Sequence, residues 1–381
     1  MSTSYETMNS PEPRVEVMDT IKKYSDEILK EGKVPTITNK EGGETAPSGD
    51  PHDYASVTRY KMWRTESGGL DWVDGEMNPD FEKYTDNKRM EEARAQLFFT
   101  ATAAIESHNN GQVEDADKYS AYASQVLRKW FVDEKTRMNP RLEYAHIVRK
   151  SEDSSEYEDK GNYFGIIEGD DLLLFVEESS RLEELGLVDQ ETLSGMKQWY
   201  GEYLDWLTKS EMGIRESGME NNHGTMYDVQ VATVADFVGR DDIVIEALNR
   251  AKGRIGTHIE NDGSQPLEMH RQDSYGYPLY NLYGYSRLSR LGVKHGVDIW
   301  NYEAPSGGSL RKAFEFYLDN LPDADEKPIQ SERHGQLFLT MRAAAEAYGD
   351  QRYFDVPTKY FPEDQLEDEI TKDWFSFETT Q

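Results

Sequence analysis

Apolar residues recur every three to four positions along most of this 381-residue chain. That period places them on one face of an α-helix, whereas the strict alternation of a half-buried strand is scarce. Gly-, Pro- and Asp-rich segments separate the periodic stretches, so we predict an all-α fold of helical hairpins packed side by side. The predicted helices cover residues 15–29, 88–105, 116–130, 170–185, 190–207, 225–237, 242–255, 274–291, 310–321 and 335–347.

No break in composition divides the chain, and a single large helical domain fits its length. We predict an N-terminal extension with the first helix at 1–35, one domain at 36–355 and an acidic C-terminal tail at 356–381. Within the domain, residues 36–86 are rich in Gly, Pro, Asp and Thr and are predicted to form an irregular loop.

Two short segments concentrate side chains that can bind a carboxylate and move a proton beside it. Asn221, Asn222 and His223 supply amide donors and an imidazole, and Arg271 and Tyr277 follow about fifty residues later. A planar guanidinium matches both oxygens of a carboxylate, and an amide adds further donors. Neutralising a carboxylate makes the adjacent carbon easier to deprotonate, so this set suits elimination on an acidic sugar.

Each of these residues also has a structural interpretation. Asn-Asn-His is typical of a helix N-terminus, where side chains cap free N–H groups, and a helical pattern does begin here. Tyr277 belongs to a stripe of tyrosines that could simply pack as one aromatic helix face. Glu216, seven residues before His223, could orient the imidazole, although a solvated carboxylate is the default in a chain with 73 acidic residues.

Several motifs in a fixed order resemble the alginate lyase superfamily. They include Pro-Ser-Gly-Asp-Pro-His-Asp-Tyr at 47–54, Arg-Met-Asn-Pro with Leu, Tyr and Ala at 137–145, and Gly-Ile-Ile at 165–167. Asn-Asn-His at 221–223 and the Arg-then-Tyr block at 266–282 complete the set. Ordered short motifs are more specific than any one alone. Relatives often carry Trp-Trp-Pro after the His-Asp-Tyr motif, whereas this chain reads Tyr-Lys-Met-Trp at 60–63.

The resemblance implies an incomplete (α/α) toroid that cleaves uronate polysaccharides by β-elimination without a metal or organic cofactor. By position, Asn222 and Arg271 would neutralise the uronate carboxylate. His223 would assist them or act as base, and Tyr277 would be the acid, or both acid and base. The substrate stays open among polymannuronate, mixed alginate and glucuronan.

Further substrate contacts are predicted around the same cleft. The 36–86 loop would lie over it and present Tyr54, Tyr60 and Trp63 to the sugar, together with Trp72; alternatively these aromatics only pin the loop to the body. The remaining predicted substrate-binding residues are Asn221, Tyr144 and Glu216.

The chain carries a formal net charge of −31 and a sequence pI near 4.6. This excess of acidic residues argues against nucleic-acid binding, because no basic stripe is available to replace counterions on phosphates. It also conflicts with a polyanionic substrate unless cations gather in the cleft. The candidates for that role are Arg59, Lys61, Arg64, Arg137, Arg141 and Arg149.

Other chemistries find no support in the sequence. The absence of cysteine rules out disulfides, thiolate metal sites and cysteine nucleophiles. No phosphate loop, dinucleotide fingerprint or zinc motif is present, and no apolar run approaches the ~20 residues of a membrane helix. Residues 1–14 do not read as a secretory signal, so we expect a cytoplasmic protein or one whose signal was removed before this numbering. The oligomeric state is open.

Two other classes remain beside the lyase. A glycoside hydrolase on a similar toroid would need two carboxylates across the scissile bond, drawn from Glu216, Asp228, Glu268 and Asp273. A catalytically silent carbohydrate-binding relative would keep the fold alone. An assay that separates unsaturated products from new reducing ends distinguishes the three.

Overall fold

A computed structural model describes residues 11–321 and 334–360, with side chains at 18–321 and 336–356. Helices dominate the described chain, and the all-α fold class is confirmed. The helices are α1 Pro11–Glu31, α2 Asp86–Asn109, α3 Val113–Leu127, α4 Asp171–Glu184, α5 Gln190–Lys209, α6 Glu211–Ser217, α7 Asn222–Phe237, α8 Asp241–His258, α9 Pro266–Met269, α10 Gly276–His295, α11 Leu310–Asp319, α12 His334–Tyr348 and α13 Gln351–Tyr360.

Each predicted helix has a counterpart with similar bounds in this set. Short α6 and α9 escaped prediction because one or two turns give too little sequence for a period to show. Helix α13 was also missed, and it crosses the predicted start of the acidic tail. Residues 361–381 of that tail lie outside the described part, and the division into an extension, a domain and a tail stays a prediction.

The 36–86 segment is more regular than predicted. Strands β2 Tyr60–Arg64 and β3 Leu70–Met77 pair as an antiparallel hairpin, here called the β2–β3 hairpin. Its turn is closed by the Thr65 N–H, which donates to the Gly69 carbonyl at 3.0 Å. Gly68 provides the left-handed backbone of this turn, with φ of 80°. The prediction of an irregular loop is therefore wrong over this hairpin.

A second, smaller pairing joins distant parts of the chain. Strand β1 Ala55–Val57 runs parallel to β4 Tyr144–Ile147, with an irregular register. The outer edge of the β2–β3 hairpin is tied to the segment after β4, since the Arg64 N–H donates to the Arg149 carbonyl at 2.9 Å. These contacts hold the hairpin beside the helical body.

Helix α7 lies at the centre of the helical packing. It contacts α4, α5, α8 and α10, and its side chains are buried on nearly all sides. Most of these buried side chains are apolar, and a helix of that kind is stable only inside a core. The N-terminus of α7 therefore projects from the core into a cleft. No helix of the described residues has the length and apolarity that crossing a bilayer requires.

Candidate active site

A cleft of about 860 Å³ lies between the β2–β3 hairpin and the N-termini of α7 and α10. The 3-10 helical segment Tyr163–Asp170 forms another wall. All four residues predicted to do the chemistry line this one cleft, together with Asn221. Their predicted catalytic roles stay predictions, but the structure does bring them together.

The N-terminus of α7 is capped as its sequence indicates. The side chain of Asn221 accepts a hydrogen bond from the His223 N–H at 3.3 Å. Gly224 follows in the first turn, where a Cβ would clash with the Met219 carbonyl oxygen and the Arg254 guanidinium. The close approach allowed by glycine fixes the position of this turn, so capping and cleft lining coexist at the same residues.

His223 is held from behind by a buried carboxylate. Its Nδ1 lies 2.7 Å from Glu216 Oε1, and the Glu216 side chain is 1% exposed. A carboxylate partner on one ring nitrogen fixes the tautomer and leaves the other nitrogen for chemistry. Glu216 is therefore neither a solvated carboxylate nor placed to bind substrate directly; its contact with the imidazole fits an orienting role.

Asn222 is engaged by a second buried carboxylate, Glu268. The backbone N–H of Asn222 donates to Glu268 Oε1 and its side-chain amide donates to Oε2, both at 2.6 Å. Burial raises the pKa of Glu268, and the two hydrogen bonds from Asn222 oppose that rise. One amide N–H of Asn222 is thus already used, so its side chain can offer a substrate a single N–H.

Arg271 and Tyr277 meet at the start of α10. The Arg271 Nη2 donates to the Tyr277 hydroxyl at 2.8 Å, and the guanidinium carbon lies 3.9 Å from the centre of the phenol ring. A cationic donor at a phenol oxygen stabilises negative charge on that oxygen. The same guanidinium binds Asp74 of β3, with Nε at 3.2 Å from Oδ2 and Nη2 at 2.8 Å from Oδ1.

The aromatic residues predicted to contact sugar are divided by the structure. Tyr60 lines the cleft, and Trp72 lines it with 52% of its surface exposed. Tyr54 is fully buried, so its prediction as a stacking surface is wrong. Trp63 and Tyr144 do not line the cleft: Trp63 faces away from Met62 on β2, and Tyr144 packs against the small core beneath β1 and β4.

The predicted gathering of cations in the cleft is not observed. Of the six candidates only Arg59 lines it, whereas Lys61 pairs with Glu76 and Arg141 with Asp53. Glu76 is an exposed carboxylate and Asp53 a buried one, and both hold their cations outside the cleft. The cleft is lined by the guanidinium groups of Arg59 and Arg271 and by the carboxylates of Asp74, Glu168, Asp171 and Asp273.

The carboxylates proposed for a hydrolase are not arranged as such a pair. Glu216 and Glu268 are buried against His223 and Asn222, and Asp228 is buried between Arg250 and Arg254 at 2.6 and 2.7 Å. Only Asp273 lines the cleft, and it accepts from the Gly276 N–H at 2.8 Å. In the part of the chain that the structure describes, no three His, Cys, Asp or Glu side chains form a candidate metal site.

Two residues that line the cleft, Asp74 and His146, could not be identified from the sequence. Asp74 reaches Arg271 across 197 positions, and its only local signal is the spacing of two that places it on the same face of β3 as Leu70 and Trp72. His146 also lines the cleft, from the end of β4, and is the non-glycine residue with positive φ, 52°, among those described. Its ring lies 3.3 Å from Glu168.

Comparison with known proteins agrees with the fold. The family model described as alginate lyase matches residues 37–327. An alginate lyase from Bacteroides ovatus superposes with a TM-score of 0.74 at 23% identity, covering 99% of this chain and 96% of that chain. No curated protein sequence matches significantly.

More distant structures share the architecture. A histidine-to-alanine variant of alginate lyase A1-III complexed with tetrasaccharide gives a TM-score of 0.51 at 15% identity, covering 87% of each chain. A tyrosine-to-phenylalanine variant, also complexed with tetrasaccharide, gives 0.50 at 15% identity and covers 86% of each. The mostly helical fold is thus toroid-like. Since the family model spans more than half of the sequence, this chain belongs to the alginate lyase family of polysaccharide lyases.

Proposed function

We propose that the protein cleaves a uronate polysaccharide by β-elimination in the cleft between the β2–β3 hairpin and α7. The observation that carries this proposal is the meeting of Asn222, His223, Arg271 and Tyr277 in one cleft. Each of the four is supported by a contact with another residue of the set or with a buried carboxylate. Preorganised groups of this kind lower a barrier without reorganising during the reaction.

Arg271 would neutralise the carboxylate of the sugar that loses its C5 proton. Its fork binds a carboxylate in this structure, in the form of Asp74, so the geometry for such binding exists. Asn222 adds its second amide N–H from the N-terminus of α7, where the helix dipole also favours negative charge. Negative charge that develops at C5 would then spread onto a carboxylate that is already hydrogen-bonded.

The proton transfers follow from the positions of Tyr277 and His223. Tyr277 in its ionised form, stabilised by the Arg271 cation, takes the proton from C5 and becomes a neutral phenol; the electron pair forms the C4=C5 bond and the C4–O4 bond breaks. The departing O4 receives a proton from Tyr277 or from His223, whose orientation is fixed by Glu216. The products are a new non-reducing end with an unsaturated uronate and a free hydroxyl on the other fragment.

Mannuronate and glucuronate are the substrates that this arrangement favours. In both sugars the C5 proton and the C4 oxygen lie on the same face of the ring, so one phenol can serve both positions. In guluronate they lie on opposite faces, so elimination requires two groups, one on each side of the ring. The tetrasaccharide complexes of the structurally similar alginate lyase A1-III variants support an oligosaccharide of about that length as the ligand of this cleft.

The test is a substrate panel read by two signals. Polymannuronate, polyguluronate, mixed alginate and glucuronan are incubated with the protein, and ultraviolet absorbance of the conjugated product is followed with the appearance of reducing ends. We expect absorbance to rise with polymannuronate or glucuronan. Reducing ends without absorbance would indicate hydrolysis, and neither signal with any of the four polymers would remove the proposed activity.

A further inference from the structure

One carboxylate of the protein lies in the position that the proposed function assigns to the carboxylate of the substrate. Asp74 projects from β3 into the cleft and accepts hydrogen bonds from Nε and Nη2 of Arg271, the two donors on one edge of the guanidinium. The backbone N–H of Gln272 donates to the same carboxylate at 2.9 Å. Three donors around one carboxylate form a complete anion site, and Asp74 fills it.

We propose that Asp74 is an internal competitor for this carboxylate subsite and thereby a specificity-determining residue. A uronate gains the Arg271 fork only by displacing Asp74. The inference rests on the proposed function, because it assumes that Arg271 receives the carboxylate of the sugar. It goes beyond that function by assigning a role to a residue of the β2–β3 hairpin that takes no part in proton transfer.

The geometry of the hairpin supports competition at this position. Strand β2 is tied to the body on its outer edge, where Arg64 forms a bidentate pair with Glu158 at 2.8 Å for both contacts. On the opposite edge, Asp74 reaches Arg271 across the cleft. Gly75 follows with φ of 76° and lies against the Gln272 side chain. The hairpin therefore bridges the cleft, and its cleft-side contact is an exchangeable carboxylate.

Because few cations line the cleft, its affinity for a uronate depends strongly on whether Arg271 is free or bound to Asp74. The described lining contains two guanidinium groups against four carboxylates, so a polyanion finds little general attraction there. Arg271 is the guanidinium beside Tyr277. Its hydrogen bonds hold the pKa of Asp74 below the usual range, so that Asp74 competes as an anion at neutral pH.

Competition of this kind changes affinity in a defined way. The apparent dissociation constant equals the intrinsic one divided by the fraction of molecules whose fork is free, so a fork occupied in nine of ten molecules weakens binding about tenfold. The factor is the same for every uronate that takes the fork, whatever its length, whereas an uncharged sugar does not need the fork and is not weakened. Asp74 therefore lowers the affinity for uronates relative to uncharged sugars, and only uronate chains with enough further contacts stay bound at a given concentration.

An alternative role for Asp74 predicts the opposite sign. If the carboxylate instead held Arg271 in position over the Tyr277 ring, its removal would loosen the guanidinium and weaken binding. The direction of the change in affinity therefore separates an internal competitor from a positioning residue.

The experiment measures binding of mannuronate and glucuronate tetrasaccharides by isothermal titration calorimetry, in a Tyr277→Phe background that does not consume them. Asp74→Asn and Asp74→Ala are each added to that background. The matched control is Asp71→Asn, which removes one negative charge from the same strand at an exposed position outside the cleft lining. It corrects for the general repulsion between the protein and a polyanion.

We expect both Asp74 variants to lower the dissociation constant by about threefold to tenfold, as an exchanged ion pair of this exposure allows. The Asp71 variant should stay close to the parent. An unchanged or raised dissociation constant in both Asp74 variants overturns the inference while the proposed function stands. Failure of every protein to bind either tetrasaccharide overturns the proposed function and the inference with it.

Discussion

The two sides of the cleft are built on different principles. At the α7 side, Asn222 and His223 are supported by Glu268 and Glu216, which are 2% and 0% exposed. At the hairpin side, Arg271 is supported by Asp74, whose side chain is 27% exposed. The first set is part of the core and can change only if the core changes. The second is a surface contact that can be exchanged.

This difference suggests a division of labour between the two sides. Buried carboxylates cost much to desolvate, and they keep their partners in one geometry once those partners are bonded. Proton transfer benefits from such fixed geometry. Binding of substrate requires a protein contact that breaks at little cost in free energy, and an exposed ion pair is such a contact. The comparison predicts that changes at the α7 side affect turnover and stability, whereas changes at the hairpin affect affinity.

The largest loss of kcat is expected for the two proposed proton-transfer residues. Tyr277→Phe and His223→Ala should each lower kcat by about a thousandfold or more, because each removes a proton donor or acceptor. Steady-state rates of unsaturated product formation measure this loss. Tyr283→Phe removes a phenol hydroxyl from the same helix outside the cleft lining and should keep the parent rate. Full activity of Tyr277→Phe would exclude the proposed proton transfer.

A smaller loss is expected for the residue that orients His223. Glu216→Gln leaves the imidazole in place but removes its anionic partner, so kcat should fall by at least about tenfold while KM stays constant. Kinetics at saturating and limiting substrate separate the two constants. Glu220→Gln, which neutralises an exposed glutamate four residues away, should have no effect. A raised KM with unchanged kcat would instead mean that Glu216 contacts substrate.

Substitution of Glu268 should mainly lower the free energy of unfolding. In Glu268→Gln an amide N–H replaces one acceptor opposite Asn222, which leaves a buried donor unpaired and costs about 1–3 kcal/mol of unfolding free energy. Urea denaturation measures the change. Glu260→Gln, at an exposed position, provides the control. Equal stability of the parent and the Glu268 variant would contradict the view that this carboxylate fixes the start of α7.

The smallest effect is expected at the hairpin. Trp72 is 52% exposed and lines the cleft, so Trp72→Ala should raise KM about threefold through lost stacking on the sugar, with kcat and stability unchanged. Michaelis–Menten analysis with the preferred polymer tests this. Val73→Ala changes the adjacent exposed residue outside the cleft lining and should match the parent. A fall in kcat for Trp72→Ala would contradict the proposal that the hairpin side affects affinity and not turnover.

Local sequence patterns predicted the helices, the capping role of Asn221 and the four cleft residues well. Periodicity and caps are visible within a few residues, whereas the cleft residues were indicated by their chemistry and by motifs whose order along the chain resembles a known family. The β2–β3 hairpin was missed because Gly and Asp, which are depleted in strands, occur within it, and tertiary ties to the Arg149 backbone overrode that preference. Burial of Tyr54 and the pairing of Arg141 with Asp53 depend on contacts between distant segments, which no local pattern encodes.

The most direct test of the central claim is a crystal structure of the Tyr277→Phe variant with a mannuronate or glucuronate tetrasaccharide. We predict a uronate carboxylate at about 3 Å from the Arg271 guanidinium and the Asn222 amide, with His223 still bonded to Glu216 and Asp74 displaced from the fork. A tetrasaccharide bound elsewhere, or one in this cleft whose carboxylates contact neither Asn222 nor Arg271, would contradict the account.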